Sequence, residues 1–137
     1  MKLNTTSVYV IWKGHLLLIL RSRSDSNKPL WWEAPAGHVD VDCPRGDSLI
    51  ARSEALRELK EETGIQAKSS QLTHLPKYSN NLHSSYLLVA ISNLPPKVTL
   101  SFEHEKFKWI SLCKAKLCSP LRKEVKRFAK DMCNVKK

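Results

Sequence analysis

The sequence predicts a single domain of mixed α/β class, read here as residues 1–137 throughout. Three observations carry this. The length of 137 residues fits one domain. Several short runs rich in β-branched, aliphatic and aromatic residues alternate with turn signals. One strongly signalled helix lies mid-chain, and a second amphipathic pattern lies near the end. Strands and helices are mixed without a regular alternation, so the pattern alone does not separate α/β from α+β.

Residues 7–12 (SVYVIW) read as a strand, Lys13-Gly14 as a turn, and residues 15–21 (HLLLILR) as a second strand closing a hairpin. The second run is apolar without alternation, which predicts burial on both faces. Residues 22–29 are polar and read as a loop, and residues 30–34 as a short strand ended by Pro35 and Gly37. Residues 47–63 carry the clearest helix, with Asp47 or Ser48 as cap and Gly64 at the position of a terminating glycine. Residues 84–91 and 106–111 read as strands. Ser111 opens a short helix reaching Cys118, and Pro120 starts a last one, in which Leu121, Val125, Phe128 and Met132 recur on one face.

Charge is unevenly distributed. The net charge is +10, but residues 33–62 hold eight of the 13 acids and four of the 23 bases, so that window carries −4 and the remainder +14. A basic body around an acidic centre suits an anionic ligand and a cation held together. No run approaches the roughly 20 apolar residues needed to span a bilayer, and the opening residues 1–7 lack the apolar core of an export signal. The expectation is a cytoplasmic protein without membrane contact. Cys43, Cys113, Cys118 and Cys133 form no C-x-x-C pair, so reduced thiols are expected and zinc is not.

The central helix holds its charges awkwardly. At 100° per residue, Glu54, Glu58, Glu61 and Glu62 fall in an arc of about 100°, beside the apolar stripe of Ala55, Leu56 and Leu59 rather than opposite it. Like charges at i,i+4 repel by about 0.2–0.5 kcal/mol a pair. Glu61 and Glu62 also sit at the negative end of the helix dipole. Arg57 and Lys60 relieve one side only. A divalent cation on the strip would remove these penalties together, and carboxylate donors without cysteine or paired histidine suit Mg²⁺, with Mn²⁺ as the alternative.

Residues 57–65, Arg57-Glu58-Leu59-Lys60-Glu61-Glu62-Thr63-Gly64-Ile65, fit R-E-U-x-E-E-x-G-U, where U is aliphatic. This closely resembles the second half of the signature of the Nudix hydrolases, and Pro35-Ala36-Gly37-His38-Val39-Asp40 resembles its opening strand and glycine turn. Gly37 and Arg57 lie 20 positions apart, six more than the pattern allows, so residues 41–46 read as an insertion. Leu49 stands where the pattern has a glutamate, with Asp47 as a stand-in that braces the loop.

The resemblance implies an α/β/α sandwich with a mixed sheet. It implies a metal-dependent pyrophosphohydrolase in which water attacks phosphorus of a nucleoside diphosphate linked to a group X, a nucleoside triphosphate included. Glu58 and Glu62 would ligate the metal, Glu61 would be a third ligand, and the backbone carbonyl of Ala36 or Gly37 would complete the shell. Arg57 would orient a carboxylate. Glu103, favoured over Glu105 because alternation turns the latter outward, would serve as the extra acidic residue of the reaction. For the substrate, Arg21 and Arg23 are candidates for phosphate, Trp31 or Trp32 for stacking on a base, and Tyr78, Asn80, Asn81 and His83 for the group X. His38 reads as structural. Homodimers are common in the family. The basic last helix, +5 over residues 120–137, leaves two further readings: an RNA 5′-end pyrophosphohydrolase, or a nucleotide-binding regulator without catalysis.

Overall fold

The computed structural model describes residues 2–135. Met1, in the opening segment, and Lys136 and Lys137, counted with the basic last helix, lie outside the described residues. The strands are β1 (Thr5–Trp12), β2 (His15–Arg21), β3 (Trp32–Glu33), β4 (Ala36–His38), β5 (Leu72–His74), β6 (His83–Ala90) and β7 (His104–Ser111); the helices are α1 (Leu49–Thr63) and α2 (Lys123–Val135). A mixed seven-stranded sheet runs β3-β2-β1-β6-β5, with β4 against β1 and β7 against β2. β1 and β6 are parallel and the other pairs antiparallel.

α1 and α2 cover opposite faces of this sheet, which makes the layered sandwich. Val8, Val10, Leu17 and Ile19 pack under α1 with Ala51, Ala55 and Leu59. Tyr9, Ile11, Leu16 and Leu18 pack under α2 with Val125, Phe128 and Ala129. The unalternating apolar run of β2 is thereby explained: successive side chains enter two different cores.

α1 starts at Leu49 because Ser48, extended, accepts the Ala51 N–H on its Oγ at 3.0 Å. It ends where Gly64 turns left-handed with φ 75°. Asp47, the other candidate cap, instead pairs with Arg52 at 2.8 Å and accepts the Tyr86 hydroxyl at 3.0 Å. Arg52 in turn donates to the carbonyls of Ser69 and Leu72, so Asp47 ties the loop before α1 to β5. Leu49 is exposed.

Four expectations are corrected. The strand read over 30–34 shrinks to Trp32–Glu33, because Lys28 and Leu30 take positive φ and the chain is still turning there. β5, with a single buried side chain, was not foreseen. The segment after Ser111 is a 3-10 turn over Leu112–Leu117, and α2 starts at Lys123, not Pro120. Finally, Cys113 and Cys133 are joined in a disulfide, with Cα atoms 5.0 Å apart; only Cys43 and Cys118 are free. The pairing arises because the 3-10 turn packs along the last turns of α2. Among the described residues, no helix is long and apolar enough to cross a membrane.

Phe128 is fully buried, stacks on Tyr9 with centroids 4.0 Å apart and meets Tyr78 edge-on. Phe128→Ala is expected to cost about 3–5 kcal/mol in chemical denaturation, because it uncouples α2 from the sheet.

Candidate active site

The site is built where β4 joins β1. Thr5 pairs with His38, Thr6 with Gly37 and Ser7 with Ala36, and on its other side β1 pairs Thr5 with His83 and Ser7 with Ser85. The period of two along each strand sends Thr5, Ser7 and Tyr9 to one face and Thr6, Val8 and Val10 to the other. One cleft of about 1140 Å³ opens over the first set. Its walls hold Glu58, Glu61, Glu62 and Glu103 on one side, and Lys77, Tyr78, His83 and Arg127 on the other.

The acidic wall is organised by Arg57. Its guanidinium lies 3.1 Å from Asp40, 3.2 Å from Glu54, 3.1 Å from Glu58 and 3.0 Å from Glu61, and it donates to the His38 carbonyl at 3.2 Å. The relief foreseen for one side of the strip therefore reaches three of its four glutamates. Glu54, buried, faces the loop: it accepts the Asp40 N–H at 2.9 Å, and the neighbouring guanidinium holds its carboxyl below the ordinary range. Glu54 is thus a brace for the turn, a role that its place in the acidic arc did not distinguish.

Glu62 is the glutamate that Arg57 does not reach. It is 5% exposed and accepts the Ala36 N–H at 2.8 Å. Burial, with the negative charges of Glu33, Glu58 and Glu103 adding to it, pushes its pKa up to about 9. Glu58 is also raised, chiefly by burial. Gly37 permits this packing, since a Cβ there would overlap the Glu58 side chain.

A hard cation fits this wall in charge and in donor type. The donors are all oxygen, and a nearby cation would offset the burial and the neighbouring carboxylates that raise the Glu62 pKa. Among the described residues, no three His, Cys, Asp or Glu side chains already converge as a cage. Arg57 engages Glu58 and Glu61 while Glu62 turns to β4, so the carboxylates flank a common space without closing on one point.

The structure sorts the other candidates. Glu103 lines the cleft, whereas Glu105 pairs with Arg23 at 3.1 Å. Arg21 lines the cleft but is held by Glu33 at 3.2 Å and Asp25 at 2.7 Å. Tyr78, Asn80 and His83 line it too, and Tyr78 donates to Asp131 at 2.6 Å. Arg23, Trp31, Trp32 and Asn81 are not among its walls. Trp32 joins the core under α2 with the Lys108 ammonium over its ring, and Trp31 carries Lys28 in the same way.

Two networks escaped the sequence reading. His104, buried beside Glu103, hydrogen-bonds Glu33 at 2.8 Å. On the floor, His83 bonds Thr5 Oγ1 through Nδ1 at 2.6 Å, and Ser7 and Ser85 through Nε2 at 2.9 and 3.0 Å. Burial lowers the His83 pKa, which favours the neutral ring. Both networks join residues about 70 or more positions apart, and no local spacing marks such pairs.

The raised Glu62 sets a pH dependence of stability. The folded state keeps a proton that the unfolded chain releases near 4.5, so the contribution is absent below that pH and grows more destabilising as pH rises towards 9. In metal-free protein, the melting temperature of wild type relative to Glu62→Gln is expected to fall steadily between about pH 5 and pH 9. Parallel melting curves for the two proteins would refute the assignment.

Comparison with known proteins agrees with this geometry. The asymmetrical bis(5′-nucleosyl)-tetraphosphatase of Mus musculus is 34% identical over 90 residues, which cover 59% of this chain and 56% of that protein. The matched stretch thus spans less than two thirds of the length of such relatives. A MutT protein from Methanosarcina mazei has 25% identity and a TM-score of 0.63, covering 99% of this chain and 97% of that one. A C. elegans Ap4A hydrolase shares the fold at 24% identity and a TM-score of 0.61, covering 96% and 98%. The NUDIX domain family model matches residues 1–132. The chain, with its sandwich fold and its glutamate-lined helix, belongs to the NUDIX domain family.

Proposed function

We propose that this chain is a divalent-cation-dependent pyrophosphohydrolase of nucleoside polyphosphates. The observation that supports it is the make-up of the cleft: carboxylates from α1 and the turn before β7 share it with Lys77, Arg122 and Arg127, of which Arg122 is paired with Glu124. An anionic chain bridged by cations on one side and met by ammonium and guanidinium groups on the other suits both walls.

Glu58 and Glu62, one helical turn apart, would hold the cation, with Glu61 as third ligand and the Ala36 or Gly37 carbonyl completing the set. Bound there, Mg²⁺ or Mn²⁺ would neutralise phosphate oxygens and lower the pKa of the attacking water. Arg57 positions Glu58 and Glu61 through its ion pairs. Glu103, whose carbonyl accepts the Ser22 N–H at 2.8 Å, stands on a tethered turn where it can take the proton of the attacking water. Arg127, and Lys77 shared with Asp131 at 3.0 Å, would face the remaining phosphates, while Asn80 would offer its amide to the nucleoside beside Tyr78 and His83, whose polar atoms are already bonded within the protein.

The cleft is larger than the roughly 300–1,000 Å³ that holds a drug-sized ligand. That supports a long substrate, and dinucleoside polyphosphates, named in the mouse relative, are the class to test first. Arg127 of α2 and Arg122 just before it line the cleft, whereas Lys126 and Lys130 of α2 line a separate pocket. This division supports a free nucleotide over an RNA strand tracked along one continuous surface.

A panel of dinucleoside polyphosphates, nucleoside triphosphates and nucleotide sugars with Mg²⁺ or Mn²⁺ is expected to yield turnover with a mononucleotide product. Glu58→Gln is expected to lower kcat by about 10²–10³ with the fold retained; wild-type rates in that variant would overturn the ligand assignment. Gly37→Ala displaces the Glu58 carboxylate without removing it. It is expected to reduce turnover while far-ultraviolet circular dichroism stays unchanged.

A further inference from the structure

α2 presents a second surface that the cleft does not use. Lys126, Ala129, Lys130 and Cys133 follow the spacing i, i+3, i+4, i+7 and share one face. That face meets the 3-10 turn at a separate pocket of about 310 Å³. Leu112 and Ala129 give it an apolar floor, the Cys113–Cys133 disulfide forms part of its wall, and Lys116, Lys126 and Lys130 ring it. Among the described residues no acidic side chain lines this pocket, and none forms an ion pair with these three lysines. Cys113 is exposed and Cys133 half-buried, so the bridge is open to attack from solvent.

We infer that the Cys113–Cys133 bridge is a thiol-exchange site selective for small anionic thiols. The reagent first loses its thiol proton to water. Its thiolate attacks Sγ of Cys113, the more exposed residue of the pair. A new sulfur–sulfur bond forms to the reagent as the Cys113–Cys133 bond breaks. The electron pair leaves on Sγ of Cys133, which later takes a proton from water. One disulfide replaces another, so no oxidant is consumed.

The lysines act twice. Their unpaired charge concentrates an anionic reagent at the pocket, and Lys126 and Lys130, on the same helical face as Cys133, favour the departing thiolate. An exposed disulfide is the labile kind. This site stands on the side of α2 away from the cleft, so its test does not depend on the hydrolase reading.

Protein purified without reductant and then denatured is expected to show two free thiols, Cys43 and Cys118; four would overturn the proposal. Intact mass after alkylation then follows mixed-disulfide formation with mercaptopropionate, which is anionic, and with cysteamine, which is cationic and similar in size. Each rate is divided by that of the same thiolate with an uncharged small-molecule disulfide, which removes the difference in intrinsic nucleophilicity; at low salt the anionic thiol is then expected to be favoured about tenfold or more. At about 1 M salt, where screening acts within about 3 Å, the ratio is expected to fall towards one. The paired substitution Lys126→Glu and Lys130→Glu is expected to abolish the preference. Equal corrected rates at low salt, or a corrected preference that survives high salt, would overturn the charge selection even if the variant failed to fold.

Discussion

One guanidinium organises the acidic centre, and the rest of the site follows from how far it reaches. Arg57 meets Asp40, Glu54, Glu58 and Glu61 within 3.2 Å, so one positive charge is shared among four negative ones. Sharing of this kind fixes directions well and neutralises poorly. Glu62, outside that reach and closed in by the sheet, bears the remainder as a raised pKa. The helix tolerates the imbalance because Ala51, Ala55 and Leu59 anchor its other side in a fully buried core. A buried carboxylate short of positive charge has the electrostatics of a cation site.

The sheet makes this possible by giving β1 three jobs. Its odd-numbered residues from Thr5 to Tyr9 floor the cleft, Val8 and Val10 pack beneath α1, and its first three residues pair with both β4 and β6. Adjacent strands lie about 4.8 Å apart. The chain between β4, where Glu62 is bonded, and β6, where His83 sits, is therefore crossed in two steps of the sheet. The cleft gains its width from strand spacing, and its rigidity from two cores that clamp the same strand from opposite sides.

Much of this was legible in the residues, for local reasons. The hairpin, α1 with its glycine stop, and the amphipathic α2 each follow from patterns shorter than about 20 residues. Glu58, Glu61 and Glu62 could be grouped because a helix makes neighbours of residues three and four apart. What stayed hidden was non-local. The bond of His104 to Glu33, the contact of Tyr78 with Asp131 and the joining of Cys113 to Cys133 all depend on how elements dock. The position of Trp32 was open for a related reason: beside a glycine turn it could face either way, and the parallel bridge to Leu121 goes with its packing on the core under α2.

The long loop between β4 and α1 shows how little the reactive geometry depends on counting. The Cys43 carbonyl accepts the Leu3 N–H at 2.9 Å, Lys2 bridges to Pro44, and the Gly46 carbonyl accepts the Ser84 hydroxyl at 2.9 Å. Stitched to the rear margin of the sheet, the extra residues are taken up as slack on the far side, while Arg57 still touches the His38 carbonyl. A fixed-interval search for this signature would pass over chains built this way. Matching the two ends of the signature separately, and letting the intervening length float, would recover them.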